Sequence, residues 1–158
     1  WAEPGGWDVV VIATPNATHA PLARAAIAAG RPIVVDKPLA PTAAEARALV
    51  EAARAAGVPL TVYQNRRWDG DFLTLRRLVA DGALGTVHRV ESRFERWRPT
   101  PKAGWRESGD PAEGGGVLLD LGSHLVDQAL LLLGPATHVY AELDRRRPGV
   151  AVDDDAFV

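Results

Sequence analysis

The sequence predicts an α/β fold: a parallel, doubly wound sheet followed by a mixed region that opens an antiparallel sheet. Three observations carry this. Short β-branched runs alternate with alanine-rich helical stretches over the first 63 residues. Each run stops at a proline or polar turn, and the spacing leaves room for crossovers of the kind that join parallel neighbours. Past residue 64 the periodicity changes, and alternating apolar and polar residues replace the continuous apolar runs.

Taken in order, Asp8 to Ala13 is almost wholly apolar, the pattern of a parallel strand buried on both faces. Thr14-Pro15-Asn16 breaks it. Thr18 to Ala29 favours helix, with Gly30 placed to end it in a left-handed cap and Thr18 or Asn16 able to cap its start. Pro32 to Asp36 is a second strand, stopped at Lys37-Pro38. Thr42-Ala-Ala-Glu45 reads as a capping box for a helix to about Ala56, closed by Gly57 and Pro59. Leu60 to Tyr63 is the third strand.

Beyond it, a helix is expected over Asp69 to Asp81, a turn at Gly82 to Gly85, and a long antiparallel strand with one wet face over Thr86 to Trp97. Arg98 to Gly116, rich in proline and glycine, reads as a long loop. Gly116 to Leu133 is helical and mostly apolar, Thr137 to Leu143 is a strand candidate, and Arg145 to Asp155 is a charged connection. Ala156-Phe157-Val158 opens a last strand.

Composition narrows the function. The chain has 158 residues, 18 Lys plus Arg and 20 Asp plus Glu, a net charge of −2, with 47% apolar and 24% charged residues. A near-neutral balance argues against nucleic-acid or membrane-surface binding, which need a broad cationic face. No apolar run approaches the roughly 18 residues of a membrane span. No signal peptide is visible, so a cytoplasmic setting is expected. With no cysteine, disulfides, thiolate nucleophiles and Cys-based metal sites are excluded. With no methionine and an opening of Trp1-Ala2-Glu3-Pro4, the chain reads as a piece of a longer protein.

The most informative constellation is Asp120-Leu-Gly-Ser-His124. On a helix, residues four apart share a face, so Asp120 and His124 stand side by side, and Asp127 continues a polar line that interrupts an apolar helix. Such a line is either the wet face of an amphipathic helix or a site where an imidazole moves a proton beside a carboxylate. Two ligands alone do not make a metal site. Asp36-Lys37-Pro38 follows a strand at the edge where open parallel sheets bind ligands, and its lysine is either an exposed turn residue or a donor to a substrate oxygen. Thr14 to His19 holds the equivalent place after the first strand. Gly114-Gly-Gly-Val-Leu-Leu119 fails the dinucleotide pattern at its third glycine position and opens no βαβ unit.

The order of these motifs resembles the Gfo/Idh/MocA family of glucose-fructose oxidoreductase and inositol dehydrogenase. The resemblance implies a truncated Rossmann-like sheet, residues 1–64 being the later portion of an NAD(P)-binding domain and 65–158 the first portion of an α+β domain on a mostly antiparallel sheet. The first βαβ unit with its glycine fingerprint is not in this stretch, so these residues alone should bind nicotinamide weakly or not at all. By resemblance, Lys37, Asp120 and His124 match the catalytic residues, with His124 the proton acceptor in alcohol oxidation. Thr14, Pro15, Asn16, His19, Asp36, Lys37, Pro38, Asn65, Arg66, Trp105 and Arg106 match positions along the NAD or NADP cofactor and the active-site mouth. Asp36 departs from the family's more frequent glutamate, one methylene shorter. The implied activity is hydride transfer between a nicotinamide and a secondary alcohol of a sugar, cyclitol or related polyol, in a homo-oligomer joined through the C-terminal sheet. A non-catalytic nucleotide or sugar sensor of the same fold, or an independent α/β binding module, stands as the alternative.

Overall fold

The computed structural model describes residues 7–107 and 109–158; the opening Trp1-Ala2-Glu3-Pro4 and Ser108 of the long loop lie outside them. The chain divides into two compact units, one of residues 1–63 with 103–115 and one of 64–102 with 116–158.

In the first unit three parallel strands, β1 (Val10–Ile12), β2 (Ile33–Asp36) and β3 (Leu60–Tyr63), lie in sequence order, joined by helices α1 (Asn16–Ala28) and α2 (Ala43–Ala56). Val10, Ile33 and Leu60 are in register, as are Ile12, Val35 and Val62. These rows face the helices, and Ile12, Ile33 and Val35 join Ala23, Ala26, Leu49 and Ala53 in one core. Full burial of a side chain such as Leu49 or Ile33 contributes about 1.5–3 kcal/mol.

The alternate row reads differently from expectation. Val11 is 65% exposed although its strand is apolar throughout. Both helices pack on one another and belong to the same core cluster, so among the described residues only one face of the sheet is covered. An apolar run reports that a strand can be buried on two faces, and the covering elements decide whether it is.

Local signals account for the helix ends. Thr42 accepts a hydrogen bond from Glu45 N at 3.2 Å and its hydroxyl donates to the Glu45 carboxylate. At the other end of α2, Gly57 takes φ 65°, a left-handed conformation that costs a Cβ-bearing residue more, and Val58 N reaches back to Ala53 O. α1 leaves through Gly30, with Gly30 N bonded to Ile27 O and Arg31 N to Ala26 O. Its start departs from expectation, since neither Thr18 nor Asn16 caps it. The helix begins immediately after Pro15, which places both residues inside the first turn. There the Thr18 hydroxyl donates backward to Pro15 O at 2.7 Å.

The second unit holds α3 (Gly70–Ala80), a π-helical turn (Leu118–Gly122) that runs directly into α4 (Ser123–Leu133), and the antiparallel pair β4 (Glu142–Asp144) and β5 (Asp155–Phe157). The expected strand over Thr86 to Trp97 is absent, and that over Thr137 to Leu143 shrinks to the three residues of β4. A strand exists only where a neighbour completes its ladder, and in the described residues β4 and β5 find only each other. The expected final strand is present as β5. Among the described residues no helix is long and apolar enough to cross a membrane.

The β4–β5 connection is pinned by charge. Asp154, 3% exposed, accepts from Arg146 N, Arg147 N and Arg147 Nε. Burial pushes its carboxyl up, but the hydrogen bonds from Arg146 and Arg147 outweigh this and hold it below the ordinary value. A depressed native value means the ionised group adds stability above the unfolded pKa, and the contribution fades as pH falls through the carboxylate range. D154N is therefore expected to flatten the acid limb of thermal stability. Melting curves from about pH 3 to pH 6 check this; parallel limbs for variant and wild type would speak against it.

Candidate active site

The carboxyl-terminal ends of β1 and β2 bring the first group of predicted residues together. After β1, the Thr14 hydroxyl donates to Thr18 Oγ1 at 2.6 Å, because the Thr18 proton is already given to Pro15 O. After β2, Asp36 folds one carboxylate oxygen onto Lys37 N at 2.8 Å, and Lys37 and Pro38 are half-buried. The Lys37–Pro38 peptide bond is cis.

His19 links the two turns. Its ring is 1% exposed, with Nδ1 2.7 Å from Pro38 O and Nε2 2.8 Å from Thr14 O. Carbonyl oxygens only accept, so each bond uses the ring nitrogen as donor, and a neutral ring can donate to one of them at a time. The imidazole ties the turn that follows β1 to the one that carries Lys37. Asn16 is also buried, and its Nδ2 donates to Gly114 O at 2.9 Å, anchoring residues 103–115 to the start of α1. Both side chains are thus spent on backbone within this unit. Trp105 and Arg106 lie in a short 3-10 turn, the guanidinium 4.2 Å above the indole.

The second unit carries the other group. Asp120 sits half-buried within the π turn, and His124, 6% exposed, lies at the start of α4. The sequence predicts a plain α-helix here. Instead Ser123 N bonds to Leu118 O, five residues back, which inserts an extra residue into the turn between the carboxylate and the imidazole. Wide turns of this kind recur at functional sites.

Asn65 opens an exposed 3-10 turn. Arg66 binds Asp69 at 2.9 Å and lies 4.8 Å over the Phe94 ring. The polar line on α4 finds its partner at Asp127, whose carboxylate takes a two-pronged bond from Arg67, Nε at 2.8 Å and Nη2 at 2.6 Å. This bond, and the Asp127 charge beside it, hold the Arg67 guanidinium above its ordinary value. Gln128 Nε2 donates to Arg66 O at 2.9 Å, a second tie between the turn and α4. Asp127 is 14% exposed, so R67A would leave a largely enclosed carboxylate without its cation. A loss of about 1–2 kcal/mol is expected in chemical denaturation; an unchanged midpoint would show that solvent replaces the guanidinium freely.

Sequence reasoning missed two features here. Arg67 lies 60 residues from Asp127, so their bond left no local signal. Asp153, whose carboxylate accepts from Leu118 N at 2.8 Å at the head of the π turn, lies 35 residues from it and left no local signal.

A parallel βαβαβ unit with its polar turns gathered at the strand ends is a sheet of the doubly wound, nucleotide-binding type. Residues 2–64 match the model described as oxidoreductase family, NAD-binding Rossmann fold, and residues 72–158 match that of the GFO/IDH/MocA C-terminal domain. The chain belongs to the GFO/IDH/MocA oxidoreductase family. It is 48% identical over 147 residues to the uncharacterized oxidoreductase YdgJ of Escherichia coli, covering 93% of this chain and 42% of YdgJ. To scyllo-inositol 2-dehydrogenase (NADP(+)) IolW of Bacillus subtilis it is 40% identical over 147 residues, with 93% and 40% covered. The solved structure of YvaA from Bacillus subtilis superposes with a TM-score of 0.89 at 35% identity, covering 98% of this chain and 43% of that one. The chain thus spans about two fifths of the length of the curated relatives it matches.

Proposed function

We propose that the whole protein oxidises a secondary alcohol of a sugar, cyclitol or related polyol, passing hydride to NAD or NADP. The observation that carries this is a carboxylate on a π turn, Asp120, and a buried imidazole, His124, at the start of the mostly apolar helix into which that turn runs. The similarity to scyllo-inositol 2-dehydrogenase (NADP(+)) IolW supports the substrate class.

When bound, the nicotinamide supplies the hydride acceptor. The chain has groups suited to it. Lys37 and Thr14 follow strands β2 and β1, where such cofactors bind. Gln64, directly after β3, has a buried Oε1 with no hydrogen-bond partner among the described residues, an acceptor suited to an amide donor. Asn16, His19 and Arg66 are engaged elsewhere, so in this reading they shape the cofactor turns rather than hold the cofactor by those atoms. Pro15, Asp36, Pro38, Asn65, Trp105 and Arg106 keep their proposed places beside it.

In the reaction, His124 takes the proton of the carbinol as the carbon–hydrogen bond breaks, and the Lys37 ammonium steadies the oxygen while negative charge builds on it. Asp120 orients the substrate hydroxyl or the imidazole. The division into a Rossmann portion, 1–64, and an α+β portion, 65–158, belongs to the same proposal, as does a cytoplasmic setting. A homo-oligomer joined through the C-terminal sheet belongs to the same proposal.

The test is nicotinamide reduction by the full-length protein over a panel of cyclitols, aldoses and polyols, followed by absorbance. Turnover confined to members with a secondary carbinol supports the reading. Tight cofactor binding without turnover across the panel would favour a sensor instead.

A further inference from the structure

The helix that carries Asp120 and His124 starts without a side-chain cap of its own. Its first amides are met from 35 residues away. Val117 N donates to Asp153 O at 3.0 Å and Leu118 N to Asp153 Oδ2 at 2.8 Å. The next bond in the ladder, Asp120 N to Gly116 O at 3.1 Å, places the carboxylate-bearing residue directly on the capped turn.

The fit of this cap is tight. A Cβ on Gly116 would stand 2.0 Å from Asp153 Oδ1, so the carboxylate occupies the space that any other residue's side chain would need. Asp153 is itself fixed by its neighbours. Asp154 N bonds to Asp144 O at 3.0 Å, the Asp154 carboxylate is held by Arg146 and Arg147, and Asp155 starts β5. An anion at a helix start also meets the positive end of the peptide dipoles.

We propose that Asp153 is a positioning residue: by capping the π turn from the β4–β5 connection, it sets the placement of Asp120 and His124. The inference rests on the reading of these two as the working pair. It acts through backbone amides, and Asp153 does not itself meet the substrate. A helix start free to shift by about 1 Å would misalign a proton acceptor enough to cost on the order of 10²-fold in rate.

The experiment compares D153A, D153N and D153E in the full-length protein. Three readouts are taken: steady-state kinetics, cofactor affinity, and nitrogen-15 spectra of backbone amides and histidine rings. D153A is expected to lower kcat about 10–100-fold with the cofactor Kd unchanged. The Leu118 amide should exchange about tenfold faster as its acceptor is lost, and the His124 ring signals should move while those of His19 stay. D153N keeps an acceptor oxygen and should stay within about threefold of wild type. Should D153A fail to fold, D153E is read in its place; its longer arm displaces the carboxylate from the space beside Gly116, and it should be impaired in the same way.

Wild-type exchange at Leu118 and unmoved His124 signals in a folded D153A or D153E would overturn the proposal. So would equal impairment of D153N and D153A. If instead H124A keeps full turnover, the proton-transfer reading fails, and the exchange and ring-signal comparison still decides whether Asp153 places the turn.

Discussion

H124A in the full-length protein is expected to reduce turnover by about 10²–10⁴-fold, the usual span for removing a positioned proton acceptor. The imidazole is 6% exposed at the head of α4, so truncation removes an enclosed group that water does not simply replace. The loss should fall on kcat, with cofactor affinity little changed, because the groups proposed to meet the nicotinamide follow strands β1, β2 and β3 and the variant leaves them in place. H124Q, which keeps a polar side chain of similar length but cannot accept and carry the proton, should be nearly as slow. Turnover of H124A within a factor of two or three of wild type would remove His124 from the chemistry.

The second large effect is on stability. G116A places a methyl group where the Asp153 carboxylate now lies, 2.0 Å from Oδ1, and does so on a backbone at φ 96°, which L-residues rarely adopt. Overpacking costs about 1–3 kcal/mol, and strained backbone about as much again. A destabilisation of about 2–6 kcal/mol is expected in denaturant titration, large enough to unfold a marginal domain. A variant as stable as wild type would mean that the connection carrying Asp153 yields without loss, and the cap would then be a loose one. G30A, at a helix end with open space around it, serves as a control for the backbone contribution alone.

The parts of this molecule that could be read from sequence are those whose causes are local. Thr42 and Glu45 start α2 and Gly57 ends it through bonds spanning three to five residues, so the signal and its cause share one short window. The three parallel strands were legible for the same reason, each being bounded by its own turn. Residues 86–97 were not, because alternation shows that a segment can form a strand while its ladder needs a partner elsewhere in the chain.

The candidate site divides along the same line. His124 and Asp120 were visible as polar residues in an apolar helix, and Lys37 as a cation after a strand. That the helix widens into a π turn was hidden, since the spacing of apolar residues does not distinguish bonds to the fourth residue from bonds to the fifth. The two carbonyls that His19 joins were hidden as well: a histidine near a helix start carries no mark of which groups its ring reaches. Asp153 and Arg67 act across 35 and 60 residues, distances over which no periodicity speaks.

The proposal that Lys37 and His124 act on one oxygen of one substrate is tested most directly by a double-mutant cycle. Rates of hydride transfer are measured for wild type, K37A, H124A and the double variant of the full-length protein with a turned-over polyol. Groups that serve a single reacting atom are strongly non-additive, so the double variant should be about as slow as the slower single variant. Losses that multiply in full would show the two residues working independently, and would contradict the account.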